Sequence, residues 1–368
     1  MPAAEPRPKS QQNRLGLDYR AEAARLGAPV VPIIDAHSHI NGAEASRIYR
    51  EARELYGVTR TYTMTQIQQA EVVRAALGDS VHFIAFPRFT SPDLKNAMTS
   101  GFLDDITRWH AMGSRVVKFW CSPRALDYGR DAGDPRLMAL DAPWRRKQMD
   151  HASSLGMMFM AHIADPDTWF ARKYTESAFY GTKADQYEPL ERLADEYKNP
   201  WIIAHMGGWP EDLDFLSGLL SRHPNIHLDS SATKWVVREL SKHTRESVIA
   251  FLTRWKGRML FGSDIVALDD HVSTTDKKNT FKGGQASSPD EAFDLYASRY
   301  YTLRLFWESN YEGPSPIADE DLKMMDPAQY DEMSGPTVRC KALPPDLLRS
   351  LYRDAAVNLV EDWCAKHP

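Results

Sequence analysis

Residues 30–39 read VVPIIDAHSH, a short apolar run that ends in an aspartate and two histidines. A run of this length, rich in β-branched residues, is typical of a strand that is buried on both faces. Side chains two residues apart in a strand point to the same side, so His37 and His39 share one face. They lie about 6–7 Å apart along the strand, close enough to converge on one metal ion. A His-x-His pair can also arise by chance.

Seven further apolar runs follow, and helical patterns separate them. The predicted helix 45–56 ends before Gly57, and 211–221 ends before a His-Pro pair. Eight strands that alternate with helices predict a (β/α)8 TIM barrel, an α/β fold. A doubly wound open sheet would accommodate six of these units, and the count of eight favours the barrel. The predicted strands are 30–36, 60–65, 81–86, 115–120, 157–162, 201–205, 226–228 and 258–261.

Two stretches interrupt this repeat, one after the fifth predicted strand and one after the eighth. Segment 165–183 is aromatic, and 266–345 holds a polar loop, a helical piece and a proline-rich tail. Barrel enzymes build their active sites at the carboxyl ends of strands, so we expect these insertions to form a lid or an oligomer contact. The predicted organisation is an N-terminal arm, 1–28, and one barrel, 29–368, with a closing helix at 346–364.

Composition excludes several classes of protein. Of 368 residues, 43% are hydrophobic and 26% are charged, which is typical of a soluble globular protein. The net charge of -5 and the pI near 6.2 argue against nucleic-acid binding. No apolar run approaches the length of a membrane span, and no secretory signal is visible, so we expect a cytoplasmic protein. Cys121, Cys340 and Cys364 lie too far apart for a disulfide scaffold or a cysteine zinc cluster.

Four other predicted strands carry polar groups at or near their carboxyl ends. His162 ends the fifth strand, His205 ends the sixth, and Asp264 follows the eighth. Lys118 lies within the fourth strand. Ionisable side chains in apolar runs are rare unless they have partners, so their recurrence at equivalent positions predicts a shared metal site at the mouth of the barrel.

These motifs resemble the amidohydrolase superfamily, and within it the amidohydrolase-2 group that includes aminocarboxymuconate-semialdehyde decarboxylase. The resemblance covers residues 30 to 265, and a short segment near the C-terminus resembles the usual closing helix. Each motif alone is weak, whereas their order and spacing together are specific. The matching segments are DAHSH at 35–39, His162, AHMGG at 204–208, LDSS at 228–231, LFGSD at 260–264 and RDAAVNL at 353–359.

The resemblance implies a role for each residue at the mouth. His37, His39 and His162 would be imidazole ligands of a divalent metal, and Asp264 a carboxylate ligand. This donor set suits Zn²⁺, and also Mn²⁺ or Fe²⁺. Asp264 would also accept a proton from the metal-activated water. His205 would orient water or substrate and transfer protons, because its pKa lies near neutral pH.

Lys118 leaves the number of metal ions open. In the two-metal members of the superfamily, a lysine of the fourth strand is carbamylated and bridges the ions. In that case His162 and His205 would bind the second ion, while His37, His39 and Asp264 bind the first. Alternatively, one ion is present and the Lys118 amine binds a substrate carboxylate or pairs with an acidic side chain.

Further residues near strand ends are candidates for substrate binding. Arg88 and Arg124 follow the third and fourth strands, and arginine recognises carboxylates through paired hydrogen bonds. Four tryptophans near strand ends could stack on a planar substrate: Trp120, Trp169, Trp209 and Trp235. Surface salt bridges for the arginines and core packing for the tryptophans are the alternative interpretations.

The favoured function is a metal-dependent hydrolase of an amide, lactone or ester in a small molecule that carries a carboxylate. The alternative is a non-oxidative decarboxylase of an aromatic or muconate-like acid, using the same ligands. A binding protein with a vestigial site is a third hypothesis, and the complete set of strand-end groups argues against it. The resemblance also implies a homo-oligomer, such as a dimer.

Overall fold

The fold is built around eight parallel strands, as seen in a computed structural model that describes residues 7–273 and 282–367. Two parallel sheets contain them, one with the first three strands and one with the next five. The first strand starts later than predicted, because Pro32 has no N–H to donate to its neighbour. The strands are β1 (Ile33–Ile40), β2 (Val58–Thr63), β3 (Val81–Phe83), β4 (Val116–Trp120), β5 (Met158–His162), β6 (Trp201–Ile203), β7 (Ile226–Asp229) and β8 (Met259–Leu260).

Backbone hydrogen bonds join the two sheets into a closed barrel. The Lys118 amide donates to the Ala85 carbonyl over 2.7 Å, which links β4 to the segment after β3. The Ala36 amide donates to the Phe261 carbonyl over 2.8 Å, which links β1 to β8. The predicted TIM barrel is therefore confirmed. A short strand after β8, β9 (Ile265–Ala267), also pairs with β1.

Helices surround this barrel, and α2 shows how the chain places them. It begins after Gly42, which has a φ of 88°. The Asp269 carboxylate accepts hydrogen bonds from the first amides of α2, at Ala43 and Ala45. A residue that follows β9 thus caps a helix that follows β1. The helices are α1 (Tyr19–Leu26), α2 (Ala43–Leu55), α3 (Ala70–Leu77), α4 (Leu94–Met98), α5 (Ser100–Ala111), α6 (Ala125–Asp131), α7 (Pro143–Ser154), α8 (Asp167–Arg172), α9 (Ser177–Tyr180), α10 (Tyr187–Glu196), α11 (Leu213–Arg222), α12 (Thr233–Lys242), α13 (Arg245–Arg254), α14 (Pro289–Glu308), α15 (Glu320–Met325), α16 (Pro345–Arg349) and α17 (Asp362–Lys366).

The segment between α16 and α17 closes the floor of the barrel. It stays helical through two π-helical stretches, Ser350–Asp354 and Val357–Glu361. Ala355 and Val360 pack among apolar side chains that point into the barrel. Within the described residues, this segment therefore covers the amino-terminal ends of the strands, opposite the carboxyl-terminal mouth where barrel enzymes build their sites.

The 266–345 insertion contains a barrel helix rather than a lid at its centre. Helix α14 packs against α1, α2 and α12. Its residues Tyr296, Tyr300 and Trp307 are fully buried. The expectation of a lid or an oligomer contact is therefore wrong for this helix, which belongs to the outer layer. The insertion continues with a pair of antiparallel strands, β10 (Glu312–Pro314) and β11 (Thr337–Arg339).

The two insertions contact each other beside the mouth. The Asp321 carboxylate, on α15, accepts hydrogen bonds from the Thr168 hydroxyl and the Trp169 indole of α8, each over 2.8 Å. Arg238 of α12 also donates to Asp321, over 3.1 Å. We call these four residues the insertion clasp. Among the described residues, no helix is both long and apolar enough to cross a membrane.

Candidate metal centre

Two histidines and one carboxylate converge at the mouth. His37 and His39 lie in the second half of β1, and Asp264 lies between β8 and β9. Asp264 Oδ1 is 3.2 Å from His39 Nε2 and 3.6 Å from His37 Nε2. The three atoms lie within 4.8 Å of one another, a spacing that one metal ion can span. Two imidazoles and a carboxylate are a donor set that divalent metals prefer.

Two polar residues that follow strands at the mouth adopt a backbone conformation that is unusual for residues other than glycine. His205 has a φ of 58° and Asp264 a φ of 57°, in the left-handed region that favours glycine. Each such residue costs on the order of 1–3 kcal/mol and persists only where the surrounding structure enforces it. In both cases the chain turns sharply after a strand, and the polar side chain lies at the mouth.

Asp229, at the end of β7, is a residue whose role the sequence analysis missed. Its Oδ2 is 2.8 Å from His37 Nδ1. Its Oδ1 accepts the backbone amides of His205, over 2.9 Å, and Ser231, over 3.0 Å, and also the Ser231 hydroxyl. Burial alone would raise the pKa of Asp229, but the neighbouring His37 lowers it below its usual range. The LDSS motif at 228–231 was the signal in the sequence.

Hydrogen bonds fix which ring nitrogens can bind a metal. His37 Nδ1 donates to Asp229, so His37 Nε2 carries a lone pair toward Asp264. The Ser231 hydroxyl donates to Asp229 and therefore accepts from His205 Nδ1, 2.8 Å away. His205 Nε2 is thus unprotonated as well. His37, His205 and Asp229 also lie close enough to hold an ion, but Asp229 already accepts four hydrogen bonds and is better suited to holding the histidines.

His162 lies beside His205 and outside the set around Asp264. The centroids of the two rings are 4.4 Å apart. His162 Nε2 is 3.2 Å from the Ala164 carbonyl and 3.1 Å from an Asp165 carboxylate oxygen. A carbonyl can only accept, so Nε2 carries the proton and Nδ1 carries the lone pair. Among the described residues, the predicted ligand His162 therefore lies next to His205 but belongs to neither group of three donors that could hold one ion.

Lys118 points into the barrel next to these groups. It pairs with Met160 on β5, one layer below His162, whereas its neighbours Val117 and Phe119 face the helices. Its Nζ is buried and has no hydrogen-bond partner among the residues that the structure describes. Burial lowers the pKa of Lys118 to about 8, although Asp229 and Asp264 act in the opposite direction. An unpartnered buried amine beside a set of metal donors fits a centre that is completed by a bound group.

The two predicted substrate-binding arginines differ in their surroundings. Arg88 Nε donates to Asp105 over 2.8 Å, and the side chain lines a cavity of about 330 Å³ with Gln66 and Gln69. Arg124 is exposed at the start of α6. The structure therefore shows a salt bridge for Arg88 and gives no hydrogen-bond partner for Arg124 within the described chain.

The tryptophans differ in their surroundings. Trp120 packs edge-on against Phe89, with ring centroids 5.4 Å apart. Trp209 stacks on Tyr187 at 5.6 Å. The ring of Trp235 lies 6.1 Å from that of His205. Trp120 also lies near a histidine, because it pairs with His162 between β4 and β5.

A closed (β/α)8 barrel with histidines and a carboxylate at its mouth defines a barrel enzyme with a candidate metal centre. The sequence profile of the family described as amidohydrolase matches residues 32–360. The chain therefore belongs to the amidohydrolase family. No curated protein matches it significantly.

Solved structures with a similar fold are distant from this chain in sequence. A probable 2-pyrone-4,6-dicarboxylic acid hydrolase from Acinetobacter baumannii, with citric acid bound, is 13% identical, with a TM-score of 0.42 over 74% of this chain and 93% of that chain. Metarhizium anisopliae IDCase in its apo form is 11% identical, with a TM-score of 0.38 over 87% of this chain and 78% of that chain.

Proposed function

We propose that this chain is a metal-dependent hydrolase that cleaves an amide, lactone or ester bond in a small molecule that carries a carboxylate. The observation that carries the proposal is the convergence of His37 Nε2, His39 Nε2 and Asp264 Oδ1 at the mouth of the barrel. A divalent metal held by these residues, zinc or alternatively manganese or iron, would lower the pKa of a water to about 7 and polarise the scissile carbonyl.

Asp264 is the residue that we assign as the proton acceptor. Asp229 already accepts four hydrogen bonds, so its lone pairs are engaged. Asp264 contacts His37 and His39, and its side chain is 20% exposed at the mouth. It is thus the carboxylate best placed to take a proton from an attacking water and return it to the leaving group.

His205 is the residue that we assign to orienting the water or substrate. Ser231 and Asp229 hold its ring, and its Nε2 carries a lone pair. Burial lowers the pKa of His205 well below its ordinary value, so the imidazole is neutral at pH 7 and can accept a hydrogen bond. Trp235, Arg88, Arg124, Trp120 and Trp209 remain candidates for substrate contacts in this proposal.

The test combines metal content with hydrolysis of a panel of amides, lactones and esters of carboxylic acids. His37→Ala and Asp264→Ala are expected to lose metal and to lower the turnover of a substrate by about 100- to 10,000-fold. His151→Ala is the matched control, because His151 lies on α7 and contacts Thr107. A fully active Asp264→Ala variant would contradict the proposal.

Lys118 decides between one ion and two. If Lys118 is carbamylated, it would help to hold a second ion together with His162 and His205. Elemental analysis of the wild type beside Lys118→Met tests this arrangement, since methionine keeps the volume and removes the amine. Two ions per chain that fall to one in the variant support the carbamate. One ion in both proteins assigns the amine to another role.

That other role is the basis of a second candidate function. A free Lys118 amine, buried and without a hydrogen-bond partner in the described part of the chain, would bind a substrate carboxylate close to the histidines. Such a site suits the non-oxidative decarboxylation of an aromatic or muconate-like acid. Release of carbon dioxide rather than of a new acid from the substrate panel would favour this carboxy-lyase activity.

We further propose a cytoplasmic homodimer, from composition and family resemblance alone. Light scattering would check the dimer.

A further inference from the structure

A single buried carboxylate ties together the backbone segments that present two of the candidate ligands. Asp35 is fully buried. Its Oδ1 accepts the amides of His37 and Ser263, each over 3.1 Å. Its Oδ2 accepts the Ser263 hydroxyl over 2.6 Å and the Tyr300 hydroxyl over 2.7 Å. The Asp264 amide in turn donates to the His37 carbonyl over 2.8 Å. The orientation of His37 and Asp264 therefore depends on where Asp35 is held.

Tyr300 is the donor to Asp35 that comes from a helix of the outer layer. It lies on α14, within the 266–345 insertion, and its side chain is fully buried. Its only proton goes to Asp35, so it accepts from the Tyr49 hydroxyl, 2.6 Å away. By the same reasoning Tyr49 accepts from Thr61 over 3.1 Å, and Thr61 accepts from Arg53 over 3.3 Å. In this series of hydrogen bonds, each group therefore donates to the next one in the direction of Asp35.

We propose that Tyr300 is a positioning residue of the metal centre: through its hydrogen bond to Asp35 it fixes the backbone that presents His37 and Asp264. The inference rests on the metal-binding function proposed above. It gives the insertion a role in the site without placing any insertion residue among the ligands. Groups that orient metal ligands typically change metal affinity about 10- to 100-fold when they are removed.

The test compares two tyrosines that are equally buried and hydrogen-bonded to each other. Tyr300→Phe removes the donor to Asp35, whereas Tyr49→Phe leaves that donor in place. Cobalt(II) titration of the metal-free, full-length protein, followed by visible absorption, reports both affinity and ligand geometry. We expect Tyr300→Phe to weaken cobalt binding about tenfold and to shift the absorption bands. Tyr49→Phe should stay within about twofold of the wild type with unchanged bands.

Thermal unfolding of the metal-free proteins separates positioning from general destabilisation. Both variants leave a buried hydroxyl partner unsatisfied, so their midpoints should fall by similar amounts. Equal cobalt affinity in Tyr300→Phe and wild type would overturn the proposal, and so would an equal loss in both variants. If Tyr300→Phe does not fold, Ser263→Ala removes the other donor to Asp35 Oδ2, and unchanged affinity there would also overturn it. A wild type that binds no cobalt would refute the proposed function itself.

Discussion

At the scale of single residues, the Ser231 hydroxyl determines which nitrogen of His205 is available. It donates to Asp229 and accepts from His205 Nδ1, as described above. The tautomer of His205 thus depends on one proton of one serine. No pattern in the sequence could predict this arrangement, because it joins residues from β1, β6 and β7 that meet only in the folded barrel.

Ser231→Ala is expected to lower kcat by about 10- to 100-fold with little loss of metal. The reason is that His205 Nδ1 loses its acceptor, so that the ring can adopt the other tautomer or rotate. Steady-state kinetics on a substrate found in the panel provides the measurement. Ser230→Ala is the control, since the Ser230 hydroxyl contacts the Gly262 backbone and no histidine. Equal losses in both variants would disprove a specific role for Ser231.

Lys118 predicts a pH dependence of stability in the metal-free protein. Its pKa falls from 10.5 to about 8 on folding, so the unfolded chain binds more protons between these values. Stability must therefore rise with pH through this window. Lys118→Met should be more stable than the wild type at pH 7, by up to about 3 kcal/mol, and this advantage should vanish near pH 10.5. Urea unfolding at pH 7, 9 and 10.5 measures it. A difference that does not change with pH would exclude the burial of a charged amine.

At the scale of elements, the sequence located β1 to β8 and most of their helices but misjudged the 266–345 insertion. Its central helix was expected around 294–307, as part of a lid or an oligomer contact, whereas α14 covers Pro289–Glu308 and is buried in the outer layer. The reason is physical: a helix that is apolar or aromatic on several sides has no single buried face, so its pattern does not show what covers it.

The insertion clasp predicts how the two insertions depend on each other. Asp321→Ala removes the acceptor shared by Thr168, Trp169 and Arg238, and leaves the buried Arg238 with fewer partners. Leaving a buried charge without any partner typically costs about 3–5 kcal/mol, and the cost here should be smaller because Arg238 keeps its ion pairs with Glu239 and Asp319. We expect faster proteolysis within 165–183 and a lower thermal midpoint.

The control for this experiment is Glu312→Ala. Glu312 forms an exposed ion pair with Arg339 across the β10–β11 pair. Exposed pairs contribute about 0–1 kcal/mol, so this variant should resemble the wild type. If Asp321→Ala also resembles the wild type, the clasp does not hold α8.

At the scale of the whole molecule, eight recurring strand patterns were sufficient to predict the barrel. The positions of His37, His39, His205 and Asp264 at its mouth followed from that architecture. The pairing of His162 with His205 was expected only for the two-ion arrangement, and the orientation of the His162 ring depends on contacts with Ala164 and Asp165 just beyond the strand. A barrel predicts which strand ends meet, but it does not predict how each side chain turns.

The barrel floor predicts where a buried charge would be most damaging. Ala355→Asp places a carboxylate among apolar side chains, without a partner, and should abolish cooperative unfolding or prevent folding altogether. Asn358→Asp is the control, because Asn358 is exposed on the same helical segment. Circular dichroism during thermal unfolding compares the two. A cooperative transition near the wild-type midpoint in Ala355→Asp would show that the floor is not closed as described.

The floor also has a consequence for how the protein is made. Translation produces Ile34 and Met158 long before Ala355 and Val360, which cover them in the finished barrel. Until then, the inner wall of the nascent chain has no cover and is open to aggregation. Translation that terminates before residue 355 would release a chain that has every ligand of the proposed site but an uncovered barrel interior. Such a chain would be bound by chaperones or degraded by proteases.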